Sequence, residues 1–157
     1  MARMTIKAPD AISKKLSSLG NSIDKIGKKV VMAGAAPIAD EIRKNLEANL
    51  KDPAYAGNGG VGDFGRVKQN ESTGDLLNSF GIAPASVDKN GIINTKIGFS
   101  GYDKKGVPNA LKARAMESGT SRLKKRPFVR PAVSKARNKS LKAMEEAFNE
   151  EVKIYAL

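Results

Sequence analysis

The N-terminal third of the chain carries the apolar pattern that most constrains the fold. Aliphatic residues recur at alternating intervals of four and three, at Ile12, Leu16, Leu19, Ile23, Ile26 and Val30. Such intervals place them along one side of an α-helix. Asp10, directly after Pro9, is a suitable N-cap for that helix. Gly20 and Gly27 each weaken the helix by about 1 kcal/mol relative to alanine, so the apolar stripe needs a partner surface.

The stripe continues past residue 30 with aliphatic residues at intervals of four, at Ile38, Ile42, Leu46 and Leu50. Pro37 either kinks one long helix or begins a second one, and the small residues at 33–36 permit a close helix crossing. The period is lost after Lys51, where glycines are frequent. We therefore predict a long N-terminal helix or a kinked helix pair, followed by a mobile loop at 51–72.

A short helical signal follows the predicted loop. In "STGDLLNSF", Ser72 and Asp75 have the spacing of a capping box, and Thr73 is an alternative cap. We predict a helical turn over residues 74–79 that partly buries its two leucines and Phe80.

The centre of the chain has the pattern of a β-hairpin. "FGIAPASV" predicts a strand that Pro84 confines to an edge or a bulge. Asn90–Gly91 suits a tight turn, and "GIINTKIGF" alternates as a return strand does. "NALKARAMES" then predicts a short helix that ends at Ser118–Gly119.

A last helix is predicted to begin near Pro131. Small and apolar residues recur at intervals of three and four, at Val133, Ala136, Ser140, Met144, Ala147, Phe148 and Val152. The first half of this segment is basic and the second half acidic, which is the reverse of the order that the helix dipole favours. We therefore hypothesise that the charge order serves a partner.

Together these segments predict an α+β fold in a single domain, 1–157. The domain contains the long N-terminal helix or helix pair, a small antiparallel β-sheet, a short helix, and a C-terminal helix packed on the sheet. Its length permits a modest core, which must be mainly aliphatic because aromatic residues make up only 5% of the chain.

Composition excludes several classes of chemistry. There is no cysteine or histidine, which removes disulfides, Cys/His zinc sites, cysteine nucleophiles and Ser-His-Asp triads. "GNGGVGDFG" lacks the lysine and hydroxyl residue of a phosphate-binding loop. Glu117 is the best single candidate for acid–base catalysis, but an ion pair with Arg114, Arg122 or Arg126 is its favoured role. We therefore expect no enzyme activity, no catalytic residue, no cofactor and no metal.

No segment has the features of a membrane span or a secretory signal. No apolar run approaches the ~20 residues of a transmembrane helix, and the N-terminus lacks an apolar signal core. We expect a soluble protein that is made in the cytoplasm.

Positive charge is the strongest functional signal in the sequence. The formal net charge is +12, which favours acidic partners. Between residues 112 and 142, Glu117 is the only acidic residue, whereas the basic residues are Lys112, Arg114, Arg122, Lys124, Lys125, Arg126, Arg130, Lys135, Arg137, Lys139 and Lys142. Phe128 is the only aromatic residue there, so stacking on nucleic-acid bases is not favoured. This basic strip predicts electrostatic docking onto either an acidic protein or DNA.

"RPFVRP" has restricted backbone freedom. Pro127 and Pro131 are expected to hold Arg126 and Arg130 outside the α region. The segment therefore either presents Phe128 to a partner or leads into the last helix with Phe128 in the core. The two interpretations are compatible.

Two motifs, in this order, resemble a known family. "TGDLLNSF" (73–80) and "ESGTSRLKKRPFVRPAV" (117–133) are similar to motifs of the tail-completion or head–tail joining proteins of long-tailed bacteriophages. "AGAAPIADEI" before a variable loop also fits this family. The resemblance covers roughly residues 30–145.

The resemblance implies an α+β subunit of a ring, expected to be sixfold, at the neck between head and tail. Its partners would be copies of itself, neighbouring neck, connector and tail-tube proteins, and packaged DNA, and its location would be the virion. The residues that it marks for assembly, together with two arginines of the basic strip, are Thr73, Gly74, Leu76, Glu117, Gly119, Thr120, Arg126, Pro127, Phe128, Arg130 and Pro131.

We predict a structural virion protein that completes the tail and joins it to the DNA-filled head. The alternative is a small basic nucleic-acid-binding protein. A membrane-surface protein is less favoured, because the basic strip has no strong aromatic and aliphatic face beside it.

Overall fold

The computed structural model describes residues 10–51, 74–121 and 123–156. The predicted loop at 51–72 and the predicted caps Ser72 and Thr73 therefore lie outside the described residues, apart from Lys51. In chain order the elements are α1 Asp10–Lys51, α2 Asp75–Asn78, β1 Phe80–Ile82, β2 Ser86–Val87, β3 Ile93–Asn94, β4 Ile97–Phe99, α3 Asn109–Ser118 and α4 Val129–Ala156. The predicted α+β class is confirmed.

Of the two forms predicted for the N-terminal region, one long helix is observed. α1 has 42 residues, begins at the predicted cap Asp10, and includes Pro37 without ending there. A proline removes one backbone hydrogen bond from a helix interior. Packing along α4 supports α1 at this point, because Gly34 and Ala35, just before the proline, are buried.

The crossing of α1 and α4 is built from small residues. Ser140 Oγ donates a hydrogen bond to the Gly34 carbonyl oxygen at 2.6 Å. A Cβ atom on Gly34 would lie only 2.4 Å from Met144 Cγ, so the two helices approach closely because residue 34 has no side chain. Ala35 and Ala136 are also buried.

One apolar core lies between the two long helices, α3 and the sheet. Its buried members are Ala39, Ile42, Leu46, Phe80, Ala113, Met116, Phe128 and Ala132. Leu46 and Phe128 are fully buried. The second half of the predicted stripe on α1 thus forms one wall of the core.

The predicted hairpin is present as two short antiparallel ladders. β1 pairs with β4 in the register Phe80 to Phe99, and β2 pairs with β3 in the register Ser86 to Asn94. The interruption falls at 83–85, around Pro84, as expected for a residue that cannot donate to a ladder. At the turn, Asp88 Oδ1 accepts hydrogen bonds from two backbone N–H groups, and the predicted hairpin turn is confirmed.

The position of α4 differs from the sequence prediction in two respects. The helix begins at Val129 rather than near Pro131, and it packs chiefly on α1 rather than on the sheet. Of the residues that recur at intervals of three and four, Ala136 and Ser140 are buried, whereas Val133 and Phe148 are 42% and 51% exposed. Close approach to α1 requires small residues, so the buried side of α4 is the alanine and serine side, and the larger residues lie outside it.

The reversed charge order of α4 has an explanation within the same chain. α1 and α4 are antiparallel, so the basic start of α4 lies beside the second half of α1, which contains Glu41. The acidic second half of α4 lies beside the basic first half of α1. Lys135 forms an ion pair with Glu41, and Lys29 forms one with Glu151. The hydrogen bond from Lys135 is the main cause of the lowered pKa of Glu41. α1 is therefore the partner of Lys135 and Glu151. A partner for the other charges of α4 stays a prediction. Within the described ranges, no helix is long and apolar enough to cross a membrane.

The close crossing makes a stability prediction about two glycines of α1. Replacing Gly20 by alanine is expected to raise the free energy of unfolding by about 1 kcal/mol, because alanine is the better helix former and its Cβ would meet nothing within 4 Å. The same replacement at Gly34 should lose this gain to the collision with Met144. Urea unfolding of both variants measures the difference, and equal gains would contradict the described crossing.

Candidate assembly surface

The connection between α3 and α4 contains most of the residues that the sequence marked for assembly, and we call residues 117–130 the α3–α4 corner. Glu117 Oε2 accepts hydrogen bonds from the backbone N–H groups of Phe128 at 2.7 Å and Val129 at 2.9 Å. Glu117 Oε1 accepts one from Arg130 N–H at 3.1 Å. The first N–H groups of a helix have no carbonyl partner within it. A carboxylate on α3 therefore caps the N-terminus of α4.

This cap explains why α4 begins before the predicted position. Pro131 was expected to keep Arg130 out of the helix, but Arg130 lies in the first turn of α4. The carboxylate of Glu117 fixes the N–H groups just before Pro131. Proline itself has no N–H group that would need a partner there. A residue before a proline normally avoids the α conformation. At Arg130, three hydrogen bonds to a charged carboxylate override this preference.

The electrostatics of Glu117 follow from the same contacts. Burial is the largest single influence and raises the pKa of the carboxyl group. The N–H groups of Val129, Phe128 and Arg130, with the charge of Arg130, together outweigh burial, and the pKa lies below its usual value of 4.5. A general acid requires the opposite shift. The sequence anticipated an ion pair for Glu117 but missed the helix cap, because local capping signals span about three residues, whereas this one spans 11.

The turn after α3 accounts for the glycine and the threonine of the motif. Gly119 has φ of 76°, and a Cβ there would lie 2.9 Å from Lys125 N, so both conformation and space require glycine. Thr120 N–H donates to Leu123 O at 2.8 Å, and Thr120 Oγ1 accepts from Leu123 N–H at 3.0 Å. The predicted helix end at Ser118–Gly119 is confirmed.

The corner is also attached to α1 and to the sheet. Asn45 Nδ2 donates to Phe128 O at 3.2 Å, and Asn49 Nδ2 donates to Arg126 O at 3.3 Å. The ring of Phe128 meets that of Phe99 edge to face, with centroids 6.0 Å apart. Of the two interpretations of "RPFVRP", the lead-in with Phe128 in the core is thus the one observed.

The marked residues divide into internal and exposed sets. Glu117 and Phe128 hold the fold together, and Gly74 caps α2 with φ of 74° while Leu76 packs against the core. Thr73 lies outside the described residues. The exposed members are Thr120, Pro127, Arg130 and Pro131, and Arg126 is partly buried. Contact of the exposed members with a partner stays a prediction.

The basic strip is not a single strip. Lys112 forms an ion pair with Asp103, and Lys135 forms one with Glu41, so both are engaged within the fold. Arg137 and Lys139 are about 200° apart around α4 and point in different directions. Arg122 lies outside the described residues. The remaining exposed members are Arg114, Lys124, Lys125, Arg130, Arg137, Lys139 and Lys142.

Four of these exposed residues surround the α3–α4 corner, and we call Arg114, Lys124, Lys125 and Arg130 the corner cations. Among the described residues, none of the four forms an ion pair. The carboxylate of Glu117 offsets one of the four charges and attracts Arg130 in particular. The corner therefore presents positive charge that the described part of the chain leaves largely unbalanced.

Comparison with known proteins agrees with the motifs. Residues 10–119 match the HK97-gp10-like family, described as "Bacteriophage HK97-gp10, putative tail-component". No curated protein and no solved structure matches the chain. The chain belongs to the HK97-gp10-like family, which confirms the resemblance to phage tail proteins. Its role is that of a structural component of a phage tail, located in the virion and in contact with other tail or neck proteins.

The helix cap predicts a large effect of a single substitution. Glu117→Ala should lower the free energy of unfolding by about 2–4 kcal/mol, because three backbone donors lose a charged acceptor. Glu146→Ala, at an exposed position of α4, is the matched control and should change stability by less than about 0.5 kcal/mol. Chemical denaturation of both variants tests the cap. A loss at Glu117 no larger than at Glu146 would contradict it.

The lowered pKa of Glu117 predicts a pH dependence of stability. In the unfolded chain this carboxyl group titrates near 4.5, so its stabilising contribution is complete above that pH and is lost as the pH falls through the lower folded pKa. Glu117→Gln should be less stable than the parent at pH 7, and the difference should shrink below pH 4.5. Thermal unfolding at both pH values measures it, and a constant difference would argue against an ionised cap.

Proposed function

We propose that the protein is a non-enzymatic, ring-forming subunit of the phage neck that completes the tail and joins it to the DNA-filled head. Family membership supports a role in the tail. The corner cations are the observation that supports a role in joining the tail to the head. A rigid corner with positive charge that is unbalanced among the described residues supports docking onto an acidic surface. An acidic face of a neighbouring neck or connector protein is the proposed partner.

Ring formation is supported by the length of α1. Gly34 lies opposite Ser140, and Lys29 lies opposite Glu151. By this register, α4 ends at Ala156 while at least the first two turns of α1 extend beyond it. These turns carry the start of the apolar stripe seen in the sequence. Ile23, farther along the same stripe and opposite the end of α4, is 62% exposed. A neighbouring subunit that covers this extension in a head-to-tail contact would generate a ring.

The role at the joint predicts the phenotype of a null mutant. A phage with a stop codon at Ser72 should produce filled heads that lie apart from tails, with intact particles restored by complementation. Electron micrographs of lysates measure this outcome. Intact, infectious particles in normal number from the uncomplemented mutant would contradict a role in joining.

A charge reversal tests the docking surface separately from folding. Lys124→Glu with Lys125→Glu should lower the yield of joined particles at least tenfold, because like charges would oppose an acidic partner. Lys104→Glu with Lys105→Glu is the matched control, as this exposed pair lies in another loop. Thermal unfolding should be unchanged in both. Normal joining by the Lys124 and Lys125 double variant would contradict docking through the corner.

The same variant separates protein docking from the nucleic-acid alternative. If the corner binds duplex DNA, affinity should fall steeply with salt and the charge reversal should reduce that slope. Negligible DNA binding at physiological salt, together with defective joining, supports the protein partner. The full burial of Phe128, the only aromatic residue of the basic region, leaves no ring there for base stacking.

A further inference from the structure

The hydrogen-bond register leaves one edge of the small sheet open. Ser100 N–H donates to Ser79 O, and Ala83 N–H donates to Lys96 O. In an antiparallel ladder, residue pairs that exchange backbone hydrogen bonds alternate with pairs that do not. Between the hydrogen-bonded pairs 79/100 and 83/96, the next hydrogen-bonded pair is therefore Gly81 with Gly98.

The N–H and C=O groups of Ile97 and Phe99 therefore point away from β1. Among the described residues, no backbone or side-chain group forms a hydrogen bond with them. β4 thus presents the unpaired edge on which an added strand can pair.

The open edge borders a shallow groove. A groove of about 340 Å³ runs between β4, the side of α3 that bears Ala113 and Arg114, and the start of α4 at Val129 and Arg130. Its apolar lining includes Ile97, Phe99 and Val129, whereas Phe128 beside them is fully buried. An extended segment laid along β4 would therefore find apolar contacts for alternate side chains as well as backbone partners.

The charges at this groove define the chemistry of its occupant. Arg114 and Arg130 line it, and neither forms an ion pair with a described residue. Glu117, whose charge attracts Arg130, is the only acidic residue in the lining, so the two arginines leave an excess of one positive charge. The groove consequently favours carboxylates beside the added strand.

We propose that the groove along β4 binds an extended, acidic segment of a partner protein by strand addition. This inference deepens the proposed docking role, on which it rests for the acidic character of the partner. A second copy of this chain is a poorer occupant, because its net charge is +12. Peptide binding to the isolated protein tests strand addition, whereas the yield of joined phage particles tests the proposed function. Failure of one proposal is therefore distinguishable from failure of the other.

The test uses the full chain, labelled with ¹⁵N, and a capped octapeptide of alternating valine and glutamate. Amide hydrogen exchange at Ile97 and Phe99 should slow at least tenfold at saturating peptide, because their N–H groups gain acceptors. Exchange at Gly98, already paired with Gly81, should change much less. The same peptide with every backbone nitrogen methylated keeps its charges but loses its donors, and it should bind at least tenfold more weakly.

A charge variant supplies the second readout. Arg114→Glu should weaken peptide binding at least tenfold, whereas Arg137→Glu, an exposed position on α4 outside the groove, should change it less than twofold. The proposal is overturned by equal binding of the methylated peptide, by protection centred on residues away from β4, or by unaltered binding to Arg114→Glu. Displacement of the peptide by single-stranded DNA with the same protection pattern would also overturn it in favour of a nucleic-acid groove.

Discussion

Three backbone N–H groups at the start of α4 converge on the carboxylate of Glu117, and the positions of the neighbouring elements depend on that convergence. The cap fixes the residue at which α4 begins and places Phe128 beneath the sheet. Phe128 is fully buried and meets Phe99, so the cap and the core reinforce one another. Asn45 and Asn49 then attach the same corner to α1. A glutamate that looks like a catalytic or ion-pairing candidate in sequence is therefore a structural acceptor.

The second constraint is the narrow contact between α1 and α4. The hydrogen bond between Ser140 and Gly34 brings the two backbones close together. Along the same antiparallel pair, two ion pairs join the helices, Lys135 with Glu41 and Lys29 with Glu151. Each exposed ion pair contributes little alone. Parallel alignment of the same helices would separate these pairs and set the basic start of α4 beside the basic first half of α1. The charge order thus favours one direction of packing, at the small cost of an unfavourable order relative to the helix dipole.

Sequence patterns predicted the elements better than their contacts. The long helix, the hairpin turn and the end of α3 followed from periodicity, from Asn90–Gly91 and from Gly119, which are all local signals. The start of α4 did not follow, because the acceptor that fixes it lies on another helix. On α4, the residues that recur at intervals of three and four include Ala136 and Ser140, which are buried, and Val133 and Phe148, which are largely exposed. Which of them are buried depends on the spacing of two helices, which a single sequence does not contain. The basic region is visible in the sequence, but its division into residues with and without an ion pair required the fold.

The sequence separation of these contacts also bears on the order in which the chain acquires structure. Glu117 and Phe128 are 11 residues apart, whereas Ser140 and Gly34 are 106 apart. Closing a short loop costs less chain entropy than closing a long one, so the α3–α4 corner is the contact that forms at lower cost. During synthesis, α1 is made before α4, so the contact between them forms only after the intervening elements have left the ribosome. The α1–α4 contact is therefore among the last contacts of the described fold to form.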